Sequence, residues 1–437
     1  WKELQRQLAT KHLNEARLRE RLPLANINLQ SGRQNIFMRV LRKYGYAVGE
    51  MSADLHSSPV GGLNGYLNIN QLVADSVLID TVRLALKSDA DQIAYTVQVR
   101  NNKKNPQYVF NALLNGALEE RGTYIKARIY DEHNKLGVGV GVRATMEDKG
   151  IQLSLMDREA VLGYKEFTVN DSNYVFMGDD RRVRADLRLR AADGTGIRLA
   201  TNNENEEALQ DITLSVNRLN LEQLFSVLPY MPEVSGTLNG DFHAIQTKDA
   251  LSVSSAVSVT DLAYQHSPMG NLSSEFVYMP KSDGGHYIDG TLSQNDVQVG
   301  QLSGTYTSAH GGYLDASLTL EKLPLTIVNG FIPQGLFGLN GYAEGKLDIK
   351  GSLAKPMVNG EVMLDSAHLF STPYGLTLRF ADDPVRIVNS HLLFENFEVF
   401  AHNDSPLNVS GEFDFSNPDR MRMDVRLRAN KYEIINA

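Results

Sequence analysis

Cysteine is absent from the 437-residue chain, which excludes disulfide frameworks, zinc–thiolate sites and thiol nucleophiles. An excess of positive charge is also absent: 43 Lys and Arg stand against 52 Asp and Glu, for a net charge of −9. Phosphate contact needs a basic surface, so no nucleic-acid partner is expected. No apolar run approaches the ~18 residues of a membrane span. The opening Trp1-Lys2-Glu3-Leu4 lacks the cationic start of a signal peptide, and the closing Asn430-Lys431-Tyr432-Glu433-Ile434-Ile435-Asn436-Ala437 reads as a strand cut in mid-run. The sequence therefore reads as an internal fragment of a longer protein, with any anchor or targeting signal outside it.

What is present is alternation. Val183, Ala185, Leu187 and Leu189 alternate with Arg182, Arg184, Asp186, Arg188 and Arg190. Met421, Met423, Val425, Leu427 and Ala429 alternate with Arg422, Asp424, Arg426 and Arg428, and the stretches 125–130 and 93–99 repeat the pattern. Period two marks strands with one dry and one wet face. Turn signals recur along most of the chain, so the spacing predicts an almost all-β protein of about 35 strands. An apolar fraction of 42% and a charged fraction of 22% fit a folded chain. Its length would serve about three ordinary domains.

Three short segments read as helices. Ser31 is placed to cap residues 33–43, with Gln34 in the capping-box position and Gly45 as the stop. Asn220 is placed to cap Leu221 to Leu228, ended by Pro229, and Pro324 to Phe331 is a weaker third case. Each is followed by a glycine-rich stretch: GLNGY at 62–66, SGTLNGD at 235–241 and GLNGY again at 338–342. At an offset of 105, Gly236, Gly240, Val257, Val259, Pro268 and Gly270 fall on Gly341, Gly345, Val362, Leu364, Pro373 and Gly375. Gly61 and Gly65 are assigned the same positions in a longer first unit. The stretch Asp186-Leu-Arg-Leu-Arg-Ala is echoed by Asp424-Val-Arg-Leu-Arg-Ala. The expected organisation is a connecting segment at 1–25, then repeat units at 26–212, 213–316 and 317–437.

In this register Asn-Gly does not read as a hairpin turn. Gly61, Leu63, Gly65, Leu67 and Ile69 share one side of a strand, as do Val234, Gly236, Leu238, Gly240 and Phe242, and Leu339, Gly341, Ala343, Gly345 and Leu347. The expected element is a strand whose apolar side is thinned by glycine. Alternation alone leaves two uses for that side, the core of a sandwich or the lining of a groove.

Chemistry finds little footing. Gly139-Val140-Gly141-Val142-Arg143-Ala144 matches a loose dinucleotide fingerprint, but its valines alternate as in a strand and no helix opens within it. The ten histidines show no ligand spacing, so no metal is expected. Asp179-Asp180 and Asp382-Asp383 read as loop acids rather than a converging acid/base pair. The Arg face at 182–190 reads as a solvated strand face. Leu4 and Leu8 share a helical side in the segment from Trp1 to Leu22, which reads as a connecting element. No enzyme activity and no cofactor are expected.

Residues 345–367 carry the pattern G-x-L-x-I-x-G-x-x-x-K-P-x-x-x-G-x-V-x-L-x-x-A, through Gly345, Leu347, Ile349, Gly351, Lys355, Pro356, Gly360, Val362, Leu364 and Ala367. This resembles the recurring block of the TamB branch of the AsmA-like family of Gram-negative envelope proteins, and the whole chain resembles the very large TamB-like proteins of the Bacteroidota. Further matching stretches are Leu228-Pro229-Tyr230-Met231-Pro232 before Ser235-Gly236, Tyr164-Lys165-Glu166-Phe167-Thr168-Val169-Asn170, and Tyr432 to Ala437. The resemblance implies a mostly β, elongated repeat array curled into a U-shaped groove, with a few short helices between repeats. It implies a periplasmic location and an inner-membrane anchor outside this chain. Leu63, Leu67, Ile69, Val234, Leu238, Phe242, Leu339, Leu347 and Ile349 would then line a groove for phospholipid acyl chains moving between the inner and outer membranes. The alternative it implies is an assembly partner of a TamA-like outer-membrane barrel, acting in outer-membrane protein and autotransporter biogenesis.

Overall fold

The computed structural model describes residues 2–10, 14–89, 92–119, 121–156, 159–202, 208–308, 312–331, 336–417 and 420–434. Trp1, the side chains of Leu4 and Leu8, and the closing Ile435 to Ala437 lie outside the described residues. The protein is mostly β; among the described residues there are 28 strands in antiparallel pairing and a few short helices. The four alternating stretches are strands, at Ile93–Asn101, Gly122–Tyr130, Val183–Arg190 and Arg422–Ala429. There are fewer strands than turn spacing suggests because many are long, up to 17 residues in Lys355–Ser371.

The chain forms two compact units, residues 1–203 with 212–232 and residues 204–211 with 233–437. The third expected repeat and residues 233–316 of the second fall in the second unit, while residues 213–232 fall in the first. The expected boundary at 212/213 cuts the strand Gln210–Asn220, and that at 316/317 cuts Tyr313–Pro324.

Helix positions follow the capping chemistry. Asn220 caps Leu221–Phe225, its side chain accepting from the Gln223 amide at 2.8 Å. Around the first helix the expectation is corrected: Ile36–Lys43 is capped by Asn35, whose side chain accepts from the Met38 amide at 2.9 Å, not by Ser31. Ser31 instead accepts a hydrogen bond from the Asn35 side chain, and Gln34 precedes the helix. The β-branched third segment is a 3-10 helix, Leu325–Phe331.

The repeat register of the second unit is visible in the backbone. Gly236 has φ +125° and faces an extra residue, Asp261, at φ +52°; Gly341 has φ +99° and faces Ser366 at φ +52°. Both pairs are separated by the expected 105 positions. The first unit corrects the assignment of Gly61 and Gly65. The strand directly after its helix is Tyr46–Ser58, where Gly49 faces Gln71 at φ +53°. Gly61 lies in the following turn and Gly65 in the next strand, Gly62–Ala74. The identical pentapeptide drew the alignment one strand too far.

Closed hydrophobic clusters occur where a strand is paired by two half-strands. Leu136–Glu147 pairs with both Gly150–Leu155 and Glu159–Leu162, and the two paths rejoin at Val183–Arg190. Ala160, Phe167, Val169, Leu189 and Ala191 are buried there. In the second unit Lys355–Ser371 pairs with both Leu376–Phe380 and Val385–Val388, over a cluster of Val385, Phe397 and Val399.

An ion pair borders the first cluster. Lys165 Nζ lies 2.7 Å from Asp193 Oδ2 and 2.9 Å from the hydroxyl of buried Thr195. The hydrogen bond from Lys165, supported by Thr195, holds the Asp193 carboxyl well below the usual carboxylate range. A depressed carboxyl stabilises the fold above its unfolded-state pKa of about 4, and that contribution fades as pH falls toward the lower folded value. Asp193→Asn should therefore shrink the difference between urea midpoints measured at neutral pH and at about pH 2.5. An unchanged difference would remove Asp193 from the acid response.

Candidate functional site: an apolar sheet face

Cross-strand register carries the apolar face of one strand onto the next. In the first unit one row runs Leu67, Leu84, Val97, Leu114, Ala127, Val140, and the next runs Ile69, Val82, Val99, Ala112, Ile129, Val138. In the second unit a row runs Phe242, Ser255, Phe276, Gly290, Leu302, Leu318, Leu347, Gly360, Ile387, Leu392, Phe413. The opposite face is polar, as in the row Gln301, Thr319, Lys346, Glu361, Arg386. A side-chain period of two gives each unit one continuous apolar sheet face.

Burial separates this face from a sandwich core, whose inner side chains interdigitate with a second sheet. Of the nine residues assigned to a groove, Leu63, Leu67, Ile69, Val234, Leu238, Leu339, Leu347 and Ile349 are half-buried, and Phe242 is 39% exposed. None belongs to the closed clusters. In Gly338–Ser352, Ala343 is buried and Gly345, Leu347 and Ile349 are half-buried, while Tyr342, Glu344, Lys346, Asp348 and Lys350 are exposed. A soluble surface rarely shows a contiguous apolar patch beyond a few hundred Å²; larger ones mark interaction sites.

The six repeat glycines are not equivalent. Gly236 and Gly341 sit at the pairing irregularities, Gly240 and Gly345 follow on the same face, Gly65 lies in the second strand after its helix, and Gly61 is in a turn.

Sequence reasoning missed a polar patch within the second unit's apolar face. The His286 ring stacks on Tyr278 at 4.4 Å and 7°, with the Tyr306 ring 6.4 Å from Tyr278. Burial, then the neighbouring Tyr306, raises the Tyr278 hydroxyl above its ordinary value. Parity would have found these residues, since His286 pairs with Tyr306 and Tyr278 with Ile288. A cavity of about 690 Å³ also opens beside the 3-10 helix, bordered by Pro268, Leu336, Phe337, Leu339 and Phe370.

The remaining chemical candidates stay apart. Gly139 to Ala144 lie inside the strand Leu136–Glu147. Asp179 and Asp180 are in a turn, and Asp382 and Asp383 in a loop. On the Arg face, Arg188 pairs with Asp186 at 3.0 Å and Arg184 lies over the Phe176 ring at 4.9 Å. Among the described residues no three His, Asp or Glu side chains gather as a metal site, and no helix is long and apolar enough to cross a membrane. No known protein family, curated protein or solved structure matches the chain.

Proposed function

We propose that this protein is a conduit for phospholipid between the two membranes of a Gram-negative envelope, with acyl chains lying on the apolar sheet face. The observation that carries the reading is a continuous apolar row across successive strands whose side chains are only half-buried. A methylene moved from water to an apolar site gains about 0.8 kcal/mol, so exposing one lipid tail to water costs on the order of 10 kcal/mol. A face continuous from strand to strand removes most of that barrier, while headgroups stay in water. Transfer along such a face is nearly neutral in free energy and takes its direction from outside the chain. The TamB-like resemblance of residues 345–367 supports the same reading, and a periplasmic location is part of the proposal.

Photo-crosslinkers at Leu238, Phe242 and Leu347 test it in cells. Phospholipid adducts at all three positions are the expected result, with none from an exposed polar-face position such as Lys346. Capture of nascent outer-membrane barrel protein instead would assign the chain to barrel assembly. Failure to capture either would make the face a core, and the conduit would be abandoned.

A further inference from the structure

The connection between Gln210–Asn220 and Val234–Gln246 is longer than a hairpin requires, and it makes the most distant contacts of the first unit. After the helix Leu221–Phe225 it places Val227, 4% exposed, against Gly137, and the helix backbone at Gln223 against Gly163. It then carries Tyr230 to the strands Val77–Ser88, Ile93–Asn101 and Phe110–Glu119. The Tyr230 hydroxyl donates to the Leu78 carbonyl at 2.8 Å and accepts from Asn101 Nδ2 at 2.8 Å. Asn101 is 2% exposed, and its other side-chain atom accepts from the Asp80 amide. The Tyr230 ring meets Tyr108 edge-on at 5.0 Å and Phe110 at 6.2 Å. Phe110 continues the apolar alternation of Ala112 and Leu114, so the contact lies at the rim of the apolar face.

Simple geometry shows what this contact does. Nine successive pairings separate Val77–Ser88 from Gln210–Asn220 by the shortest path. In a flat sheet that is about 43 Å at roughly 4.8 Å per pairing. From Asn220 to Tyr230 the chain spans a five-residue helix and five further residues, about 25 Å of backbone plus one tyrosine side chain. The rim must be drawn inward for Tyr230 to reach Leu78. Tyr230 itself sits at φ +64°, unusual for a bulky residue, and Pro229 and Pro232 have no amide to donate.

We propose that the Leu221–Pro232 strap is a clasp holding one rim of the first unit's apolar face closed, with Asn101, Tyr230 and the Leu78 carbonyl as its latch. Releasing the latch widens that rim and admits an apolar chain; that this chain is a phospholipid tail rests on the conduit reading above.

The absence of native cysteine allows a clean lock. A Cβ placed on Gly137 would lie 3.0 Å from the Val227 Cβ, within a small relaxation of the ~3.5–4.5 Å that a disulfide needs. Binding of the apolar dye N-phenyl-1-naphthylamine to the purified chain is followed for the Gly137→Cys/Val227→Cys variant, oxidised and reduced, and for Tyr230→Ala and Tyr230→Phe. The oxidised pair should bind at least about fivefold more slowly than the reduced pair, and Tyr230→Ala about fivefold faster than the parent. Tyr230→Phe, which keeps the ring, should fall between and guards against misfolding of the alanine variant. Equal rates for oxidised and reduced pairs, or no dye uptake by any variant, overturn the clasp. Lipid crosslinking at Leu347, in the other unit, uses no part of the latch. Lipid adducts there with indifferent dye rates would sink the clasp alone, and gated dye uptake without adducts would sink the conduit alone.

Discussion

Phe167→Ala should destabilise the first unit by about 3–5 kcal/mol, while Leu347→Ala should cost the second unit no more than about 1 kcal/mol. Phe167 is 0% exposed and packs in the cluster with Ala160, Val169 and Leu189. Its removal forfeits the transfer free energy of a whole ring and leaves a cavity that surrounding strands, pinned on both sides, collapse into only partly. Leu347 faces partly to solvent, with Leu318 on one side and Gly360 on the other. Truncating it removes contact area without enclosing a void. Hydrogen exchange of each variant in its own unit, read against urea, measures both costs without assuming that the two units unfold together. A Leu347 cost as large as that of Phe167 would mean that the apolar face is packed core.

Gly65→Ala should destabilise by about 2–6 kcal/mol, whereas Gly32→Ala should stay within about 0.5 kcal/mol of the parent. Gly65 has φ +134°, and a Cβ there would overlap the Asp54 carbonyl oxygen of the neighbouring strand. Any side chain therefore meets both backbone strain and a clash with atoms that cannot rotate away. At Gly32 a Cβ meets nothing within 4 Å and φ is unexceptional. Chemical denaturation of the two variants beside the parent checks this, and a mild Gly65→Ala would mean that the neighbouring strands can part there.

Much of the local structure was legible from short-range chemistry. Alternation located strands because side chains point to opposite faces whatever lies above them. Asn220 was legible as a cap because an amide-accepting side chain three residues before a free N–H acts locally. The same logic misassigned the first cap: Ser31 and Asn35 both carry suitable oxygens, and only the path of the preceding strand Ala25–Ser31 decides between them. The first-unit glycines were misaligned for a related reason. A pentapeptide repeated at 62–66 and 338–342 is identical in composition, but its role is set by which strand follows the helix.

The contrast between the two echoed stretches marks the boundary between what sequence and tertiary structure determine. Asp186-Leu-Arg-Leu-Arg-Ala and Asp424-Val-Arg-Leu-Arg-Ala both form strands, yet Leu189 is 8% exposed and Leu427 is 60% exposed. By itself the sequence determined that this is a mostly β protein with one apolar and one polar side to its strands, short capped helices and a 105-residue repeat. Periodicity and capping depend on neighbours within a few residues, so they are written locally. Which parts of the apolar side are closed over and which stand open was decided only in three dimensions. Half-strands rejoining over Phe167 and a tyrosine returning across 152 positions to Leu78 bring together residues whose separation along the chain leaves no periodic trace.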